Sequence, residues 1–299
     1  MRGRSIVKQW PLHLLLAPGV VLVLLFSYGP MVGVTIAFKD FNLADGIWRS
    51  SWNGWDNFRF LFEMTDIAQV VRNTVTIAVM KMAAGMIAPL ITALLLNEVR
   101  NMAIKRGIQT VIYLPHFLSW IILGGILIDI LSPSEGIVNQ LLGLFGIKPI
   151  FFLGSPDWFP FVAVLSDVWK EFGFSTIIYL AALTGINPAL YEAAVVDGAS
   201  RWRQSWHITL PGISPIIILL ATLSVGNVLN AGFEQIFVLY SPLVYETGDI
   251  IDTFTYRLGL IDYQYGPAAA VGLFKSAVSL IFISVSYYLA YRLANYRIF

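Results

Sequence analysis

Residues 187–215 read NPALYEAAVVDGASRWRQSWHITLPGISP, a polar stretch set between two apolar ones. Asn187 is a helix cap that accepts from free amides, and Pro188 fits the first helical position, where its missing N–H costs nothing. The spacing predicts a helix from Pro188 to about Asp197. Gly198 then supplies the left-handed residue that ends it. Ser200 caps a second short helix carrying Trp202, Trp206 and His207, which Leu210, Pro211 and Pro215 are expected to finish before the chain turns apolar again. The stretch is a bent lever, held at both ends.

Outward from it, the composition is that of a polytopic membrane protein. The 299 residues are 57% hydrophobic and only 12% charged, with a mean hydropathy of +0.73, where soluble chains carry about 25% charged residues. A net charge of +1 and no basic run longer than two residues give no footprint for nucleic acid. With no Cys, and with His13, His116 and His207 far apart, neither a disulfide framework nor a metal site is expected. The fold class expected is all-α.

A helix crossing about 30 Å of hydrocarbon needs roughly 20 mostly apolar residues. Six segments qualify: 12–36, 74–96, 108–131, 158–183, 214–239 and 267–291. The first follows Arg2, Arg4 and Lys8, but it is longer than a signal-peptide core and lacks a small-x-small cleavage site, so it is expected to be retained. Pro18, Pro30, Pro89 and Pro115 are expected to kink these helices rather than break them. No internal repeat stands out, and the expectation is one membrane domain over residues 1–299.

Orientation comes from the connections. With the N-terminus inside, Arg2, Arg4, Lys8, Arg100, Lys105, Arg106, Arg201, Arg203, Arg292 and Arg297 are cytoplasmic, ten basic residues against six outside, Lys39, Arg49, Arg59, Arg72, Lys148 and Arg257. Both termini and residues 187–213 then face the cytoplasm. The first outer connection is rich in aromatics, Trp48, Trp52, Trp55, Phe58, Phe60 and Phe62 among them. It reads either as a belt at the headgroup level or as a docking surface.

Seven ionisable residues fall inside the spans: Lys81, Asp129, Asp167, Lys170, Glu171, Glu234 and Lys275. Each costs about 2.5 to 3.5 kcal/mol at the centre of a lipid-facing helix, so most must face protein or water. Asp167, Lys170, Glu171 and Phe174 share a face of the fourth span by their spacing, and Asn227, Asn230 and Glu234 form a stripe on the fifth. Together with Lys275 they read as a polar path, with Trp169 or Phe233 as stacking faces. The plainer alternative is helix-to-helix glue, Asp167 with Lys170 or Lys275 with Glu234. Lys81 and Asp129 stand alone and read as structural or snorkelling. No P-loop, nucleophile elbow or zinc-protease motif occurs, so ATP-driven work would need a separate subunit.

Glu192-Ala193-Ala194, then Gly198, then, after nine intervening residues, Ile208-Thr209-Leu210-Pro211, resembles the EAA loop of ABC importer permeases, with Asp197 and Trp202 completing the form common in carbohydrate permeases. The resemblance implies that Glu192, Ala193, Ala194, Asp197, Gly198 and Pro211 couple the chain to a cytoplasmic ATPase through a short helix in a groove. A helix lying on the membrane surface is the plain alternative. Trp52 to Phe62 resembles the first outer loop of the same family. Val7 to Leu12, Tyr28-Gly29-Pro30-Met31 and Ala37 to Phe41 are similar to permeases for oligo- and polysaccharides, alginate importers among them. By resemblance the chain is an inner-membrane permease with no cofactor of its own. Its partners would be a second permease, two copies of an ATPase that binds ATP and Mg, an extracytoplasmic solute-binding protein and a sugar, an acidic one such as alginate included. The alternative class is an ion-coupled secondary transporter using the buried carboxylates.

Overall fold

The computed structural model describes residues 10–294; Arg2, Arg4, Lys8, Arg297 and the start of the Val7–Leu12 resemblance lie outside these described residues. The described chain is helical apart from one short antiparallel pairing, β1 (Lys39–Asp40) with β2 (Ser51–Trp52), in which Lys39 faces Trp52. Its internal contacts divide it into two compact units, residues 1–65 with 255–274, and residues 66–254 with 275–299.

The first unit begins with α1 (Trp10–Phe38), which passes through a π turn at Leu24–Tyr28 into a 3-10 segment that starts at Gly29 and Pro30. Among its described residues only Ala37 and Lys39, just past its end, are buried. A helix whose solvent is lipid needs no more, because lipid tails are as apolar as its own side chains. After the β1–β2 hairpin comes α2 (Asp56–Glu63), an amphipathic helix with Asn57 and Leu61 inward. Asn57 Nδ2 donates to Ala37 O (3.0 Å) and Lys39 O (2.9 Å), tying α2 to the end of α1. Phe38 packs edge-on against Trp55, which itself stays exposed.

The second unit is built on two long helices side by side, α3 (Ile67–Glu98) and α6 (Phe159–Leu183). Between them lie α4 (Met102–Phe117) and α5 (Trp120–Ile130), bent against each other by 103°. The predicted third span, 108–131, is therefore broken rather than kinked beyond Pro115, where a 3-10 turn, Leu114–Phe117, ends at an extended Leu118 and Ser119 caps α5. Pro18 and Pro89, by contrast, sit inside unbroken helices. Ala93, Tyr179, Leu183 and Ile213 form one apolar core, and Ile77, Phe159, Ala163, Ala231 and Ile236 belong to another.

Residues 187–215 become α7 (Pro188–Val196), bent 76° from α6, and α8 (Arg201–Gly226). The second helix does not finish at Leu210, Pro211 or Pro215 as expected. A π turn at Ser205–Thr209, closed by Leu210 N–H to Ser205 O, comes just before Pro211 and widens the turn into which the proline ring would otherwise collide, so the helix runs on. It stops instead at Gly226. The predicted fifth span, 214–239, is thus interrupted over residues 227–232, and α9 (Phe233–Leu239) follows. The last helix, α10, runs Tyr265–Ala294. By length and apolarity there are four unbroken spans among the described residues, or up to six if each bent pair is one.

Gly173 is where α6 touches α4. A Cβ there would lie 1.9 Å from Ile112 O. Gly173→Ala is therefore expected to force the helices apart, costing about 1–3 kcal/mol, and to lower the melting temperature of the purified chain in detergent. An unchanged melt would show that the two backbones are not in contact.

Candidate functional site

A cavity of about 360 Å³ in the second unit is lined by Lys81 from α3, Asp167 and Glu171 from α6, and Asn227 and Asn230 from the interruption after α8. Helical geometry explains the choice. Asp167 and Glu171 are one turn apart and point the same way, whereas Lys170 lies about 100° round from Glu171. The expected quartet splits: Lys170 and Phe174 do not line the cavity and meet His116 at the end of α4 instead.

Lys81 holds the interruption in place. Its side chain is 9% exposed, and its Nζ donates to Asp167 Oδ1 (3.2 Å), to Ala231 O (2.7 Å) and to Gln235 Oε1. Gln235, fully buried, donates in turn to Ala163 O (2.7 Å) and Ser166 Oγ (2.7 Å) on α6. A helix that stops within a membrane leaves backbone oxygens that water cannot satisfy. Here a lysine from a neighbouring helix satisfies one of them, and Asp167 balances its charge. Lys81, which reads as isolated in the sequence, finds its partner carboxylate, Asp167, 86 residues away.

A second lysine holds the other break. Lys170 Nζ donates to His116 O (2.9 Å), in the 3-10 turn between α4 and α5, and to Glu171 Oε1 (2.9 Å). Glu171 Oε2 meets His116 Nδ1 at 2.7 Å. Phe174 stacks flat on the His116 ring, centroids 4.0 Å apart. Asp167 is therefore paired with Lys81 rather than with Lys170. Each broken helix is pinned by one lysine, and both lysines are neutralised by adjacent carboxylates of α6.

The remaining predicted path residues lie elsewhere. Glu234 is exposed in the first turn of α9 and does not line the cavity. It is no extension of an α8 stripe, because the helix that would have aligned it with Asn227 and Asn230 ends at Gly226. Lys275 pairs with Asp252 at 2.5 Å, not with Glu234. Asp129 is exposed near the end of α5. Trp169 and Phe233 are absent from the cavity wall.

The lever forms largely as its sequence dictates. Asn187 caps α7 by accepting from Ala189 N (3.0 Å), and Ser200 caps α8 by accepting from Arg203 N (3.4 Å). Between them Gly198 N–H donates to Val195 O (3.0 Å) and Ala199 N–H to Ala194 O (2.8 Å), with Gly198 at φ +74°. That pair of bonds is the Schellman closure of a helix C-terminus. Glu192, Ala193 and Asp197 are exposed, as are Leu190, Val195 and Val196, the last at 86%. Two contacts tie the lever to the rods behind it. Tyr191 Oη meets Thr209 Oγ1 on α8 at 2.9 Å, and Arg201 pairs with Glu98 at the end of α3 at 2.5 Å. Pro211 lies in α8, two residues past Thr209.

Residues 85–295 match the family described as binding-protein-dependent transport system inner membrane component. Protein LplB of Bacillus subtilis (strain 168) is 44% identical over 94% of this chain and 88% of its own. The polygalacturonan/rhamnogalacturonan transport system permease protein YteP of the same organism is 41% identical over 96% and 89%. Among solved structures, a bacterial ABC transporter involved in the import of the acidic polysaccharide alginate superposes with a TM-score of 0.90 at 40% identity, covering 97% of this chain and 98% of that one. The lever with its EAA residues, the broken spans around a polar cavity and these relatives agree: the chain belongs to the inner membrane components of binding-protein-dependent transport systems, the permease subunits of ABC importers.

Proposed function

We propose that the chain lines part of the path of an ATP-driven importer of carbohydrate, of oligo- or polysaccharide size. The observation that carries the reading is α7, which leaves Leu190, Val195 and Val196 bare while Tyr191 ties it to α8 and Arg201, just past the bend, ties the start of α8 to α3. A groove on a cytoplasmic ATPase would cover that face. The ATPase, in two copies, binds the ATP and Mg; this chain, without a P-loop, hydrolyses none and holds no cofactor. A second permease completes the path, and an extracytoplasmic binding protein delivers the sugar. A related alginate importer has been solved with an alginate pentasaccharide-bound periplasmic protein. The excess of basic residues in the connections that include residues 187–213 supports a cytoplasmic side for both termini and α7.

In this reading Glu192, Ala193, Ala194, Asp197 and Gly198 meet the motor, with Pro211 behind them in α8. Closure of the ATPases displaces α7. Tyr191 passes the displacement to α8, and Arg201 to α3. The two meet again at one place, since α8 stops at the interruption that Lys81, inside α3, holds, ~26 Å along α3 from Glu98 at 1.5 Å per residue. Asp167, Glu171, Asn227 and Asn230 offer hydrogen bonds to sugar hydroxyls, while Lys170 and Phe174 fix His116 against Glu171. Lys81, the one cation on the described cavity wall, is already committed to Asp167. Selection for an acidic cargo would then fall to the binding protein or the second permease.

The test is uptake of radiolabelled oligosaccharide by vesicles holding the assembled complex and its binding protein. Uptake is expected only with ATP on the ATPase side. Accumulation driven by an ion gradient without ATP would overturn the proposal in favour of an ion-coupled carrier.

A further inference from the structure

The first unit contains a second cavity, of about 410 Å³, unrelated to the path residues. One wall is β1 and the residue after it, Lys39, Asp40 and Phe41; the other is the turn into α10, Tyr263 to Pro267; Asn57 and Phe60 of α2 complete it. We propose that this cleft binds a neutral sugar ring of the cargo, a subsite separate from the central cavity. The inference rests on the carbohydrate reading above and adds a place and a charge preference.

The cleft is built rather than incidental. Asn57 is buried and spends its amide on Ala37 O and Lys39 O, and Lys39 Nζ donates to Ile47 O (2.6 Å) beneath the Trp52 ring, which fixes the first wall. The second wall is held by Asp262 N–H to Arg257 O (2.9 Å) and Gln264 N–H to Leu258 O (2.9 Å). Within that turn Tyr263 takes φ +56°, the one non-glycine left-handed residue among those described, and its ring is 71% exposed. A bulky residue in that region is disfavoured, and such outliers gather at binding sites. Among the described residues nothing covers the ring that this conformation presents.

The chemistry on the walls is of two kinds. Phe41 and Tyr265 stand edge to face at 5.5 Å, with Tyr263 6.4 Å from Tyr265 and Phe60 half exposed. Such faces suit the flat C–H side of a pyranose. The Asp40 carboxylate and the Gln264 amide are exposed and make no side-chain hydrogen bond within the described residues. A carboxylate accepts from two neighbouring hydroxyls, and an amide both donates and accepts. An apolar surface with a few placed polar groups is the usual make-up of a small-molecule site. Lys39, the one cation present, is buried and engaged, so a uronate would meet Asp40 with no compensating charge.

The test uses the full chain in lipid nanodiscs and saturation-transfer NMR. The probes are neutral pentasaccharides of glucose, mannose and xylose, and a trimer of galacturonate. Transfer is expected to at least one neutral probe and weakly or not at all to galacturonate. Tyr263→Gly removes the ring while suiting the left-handed backbone, so the turn survives; about a tenfold loss of affinity is expected, the scale of one stacked ring with its buried area. Asp40→Asn should weaken the neutral probes and relieve the bias against galacturonate. Trp48→Ala, at an exposed ring outside the cleft, should change nothing. Transfer that survives Tyr263→Gly, a preference for galacturonate, or no transfer to any neutral probe overturns the cleft. ATP-driven sugar uptake alongside any of these results leaves the cargo reading standing, while its absence removes that reading independently.

Discussion

Lys81→Met is expected to be the most damaging single change to the membrane portion of the subunit. It removes one donor and orphans three acceptors at once: the Asp167 carboxylate, Ala231 O and Gln235 Oε1. Removing one partner of a buried ion pair costs about 3–5 kcal/mol, because the surviving charge keeps its desolvation cost. A loss of that size lowers the melting temperature of a chain this long by about 10 °C, and sugar uptake should fall below detection. Adding Asp167→Asn removes the orphaned charge but not the orphaned carbonyl. The double variant should therefore melt between the single variant and the wild type, with a coupling energy of about 0.5–3 kcal/mol. Thermal unfolding followed by tryptophan fluorescence on the purified complex measures both. A Lys81→Met protein that melts with the wild type and still transports would mean that the lysine does not hold the interruption.

The same residue marks where sequence reading succeeds and where it fails. The lever was legible because its determinants are local. Asn187, Pro188, Gly198 and Ser200 each act within four residues of their own position, and the chain forms the caps and the left-handed turn that they predict. The need for buried charges to be paired was legible too, from their cost in lipid. Which pairs form was not, because Lys81 and Asp167, Glu171 and His116, and Lys275 and Asp252 come together only through helix packing. The interruption at residues 227–232 did leave a trace in Gly226-Asn227 and Asn230-Ala231-Gly232, where caps and turn residues cluster. A twenty-residue hydropathy window averages over that trace. Helix α8 fails in the opposite direction: Pro211 and Pro215 read locally as terminators, and a π turn lets the helix pass.

Gly198 offers the sharpest test of the lever, because its role can be separated from its size. No atom lies within 4 Å of where its Cβ would be, so only the backbone angle, φ +74°, demands glycine. Uptake should follow the cost of that angle. Asn tolerates the left-handed region and should be nearly silent; Ala pays about 1–2 kcal/mol and should be intermediate. Pro is fixed near φ −65° and loses the N–H that bonds Val195 O, so neither the bend nor its closure can form. Since α7 is short and water-exposed, Gly198→Pro should leave the membrane helices folded and the complex assembled. The loss should fall on coupling: energies of about 1–3 kcal/mol between sites correspond to factors of ~5–150. Uptake per ATP hydrolysed should drop by a factor in that range, measured on reconstituted complex with both rates taken from the same vesicles. If Asn and Ala abolish uptake as fully as Pro, the position is closed by a partner's surface and not by its own backbone. If Pro leaves the ratio unchanged, the bend transmits nothing.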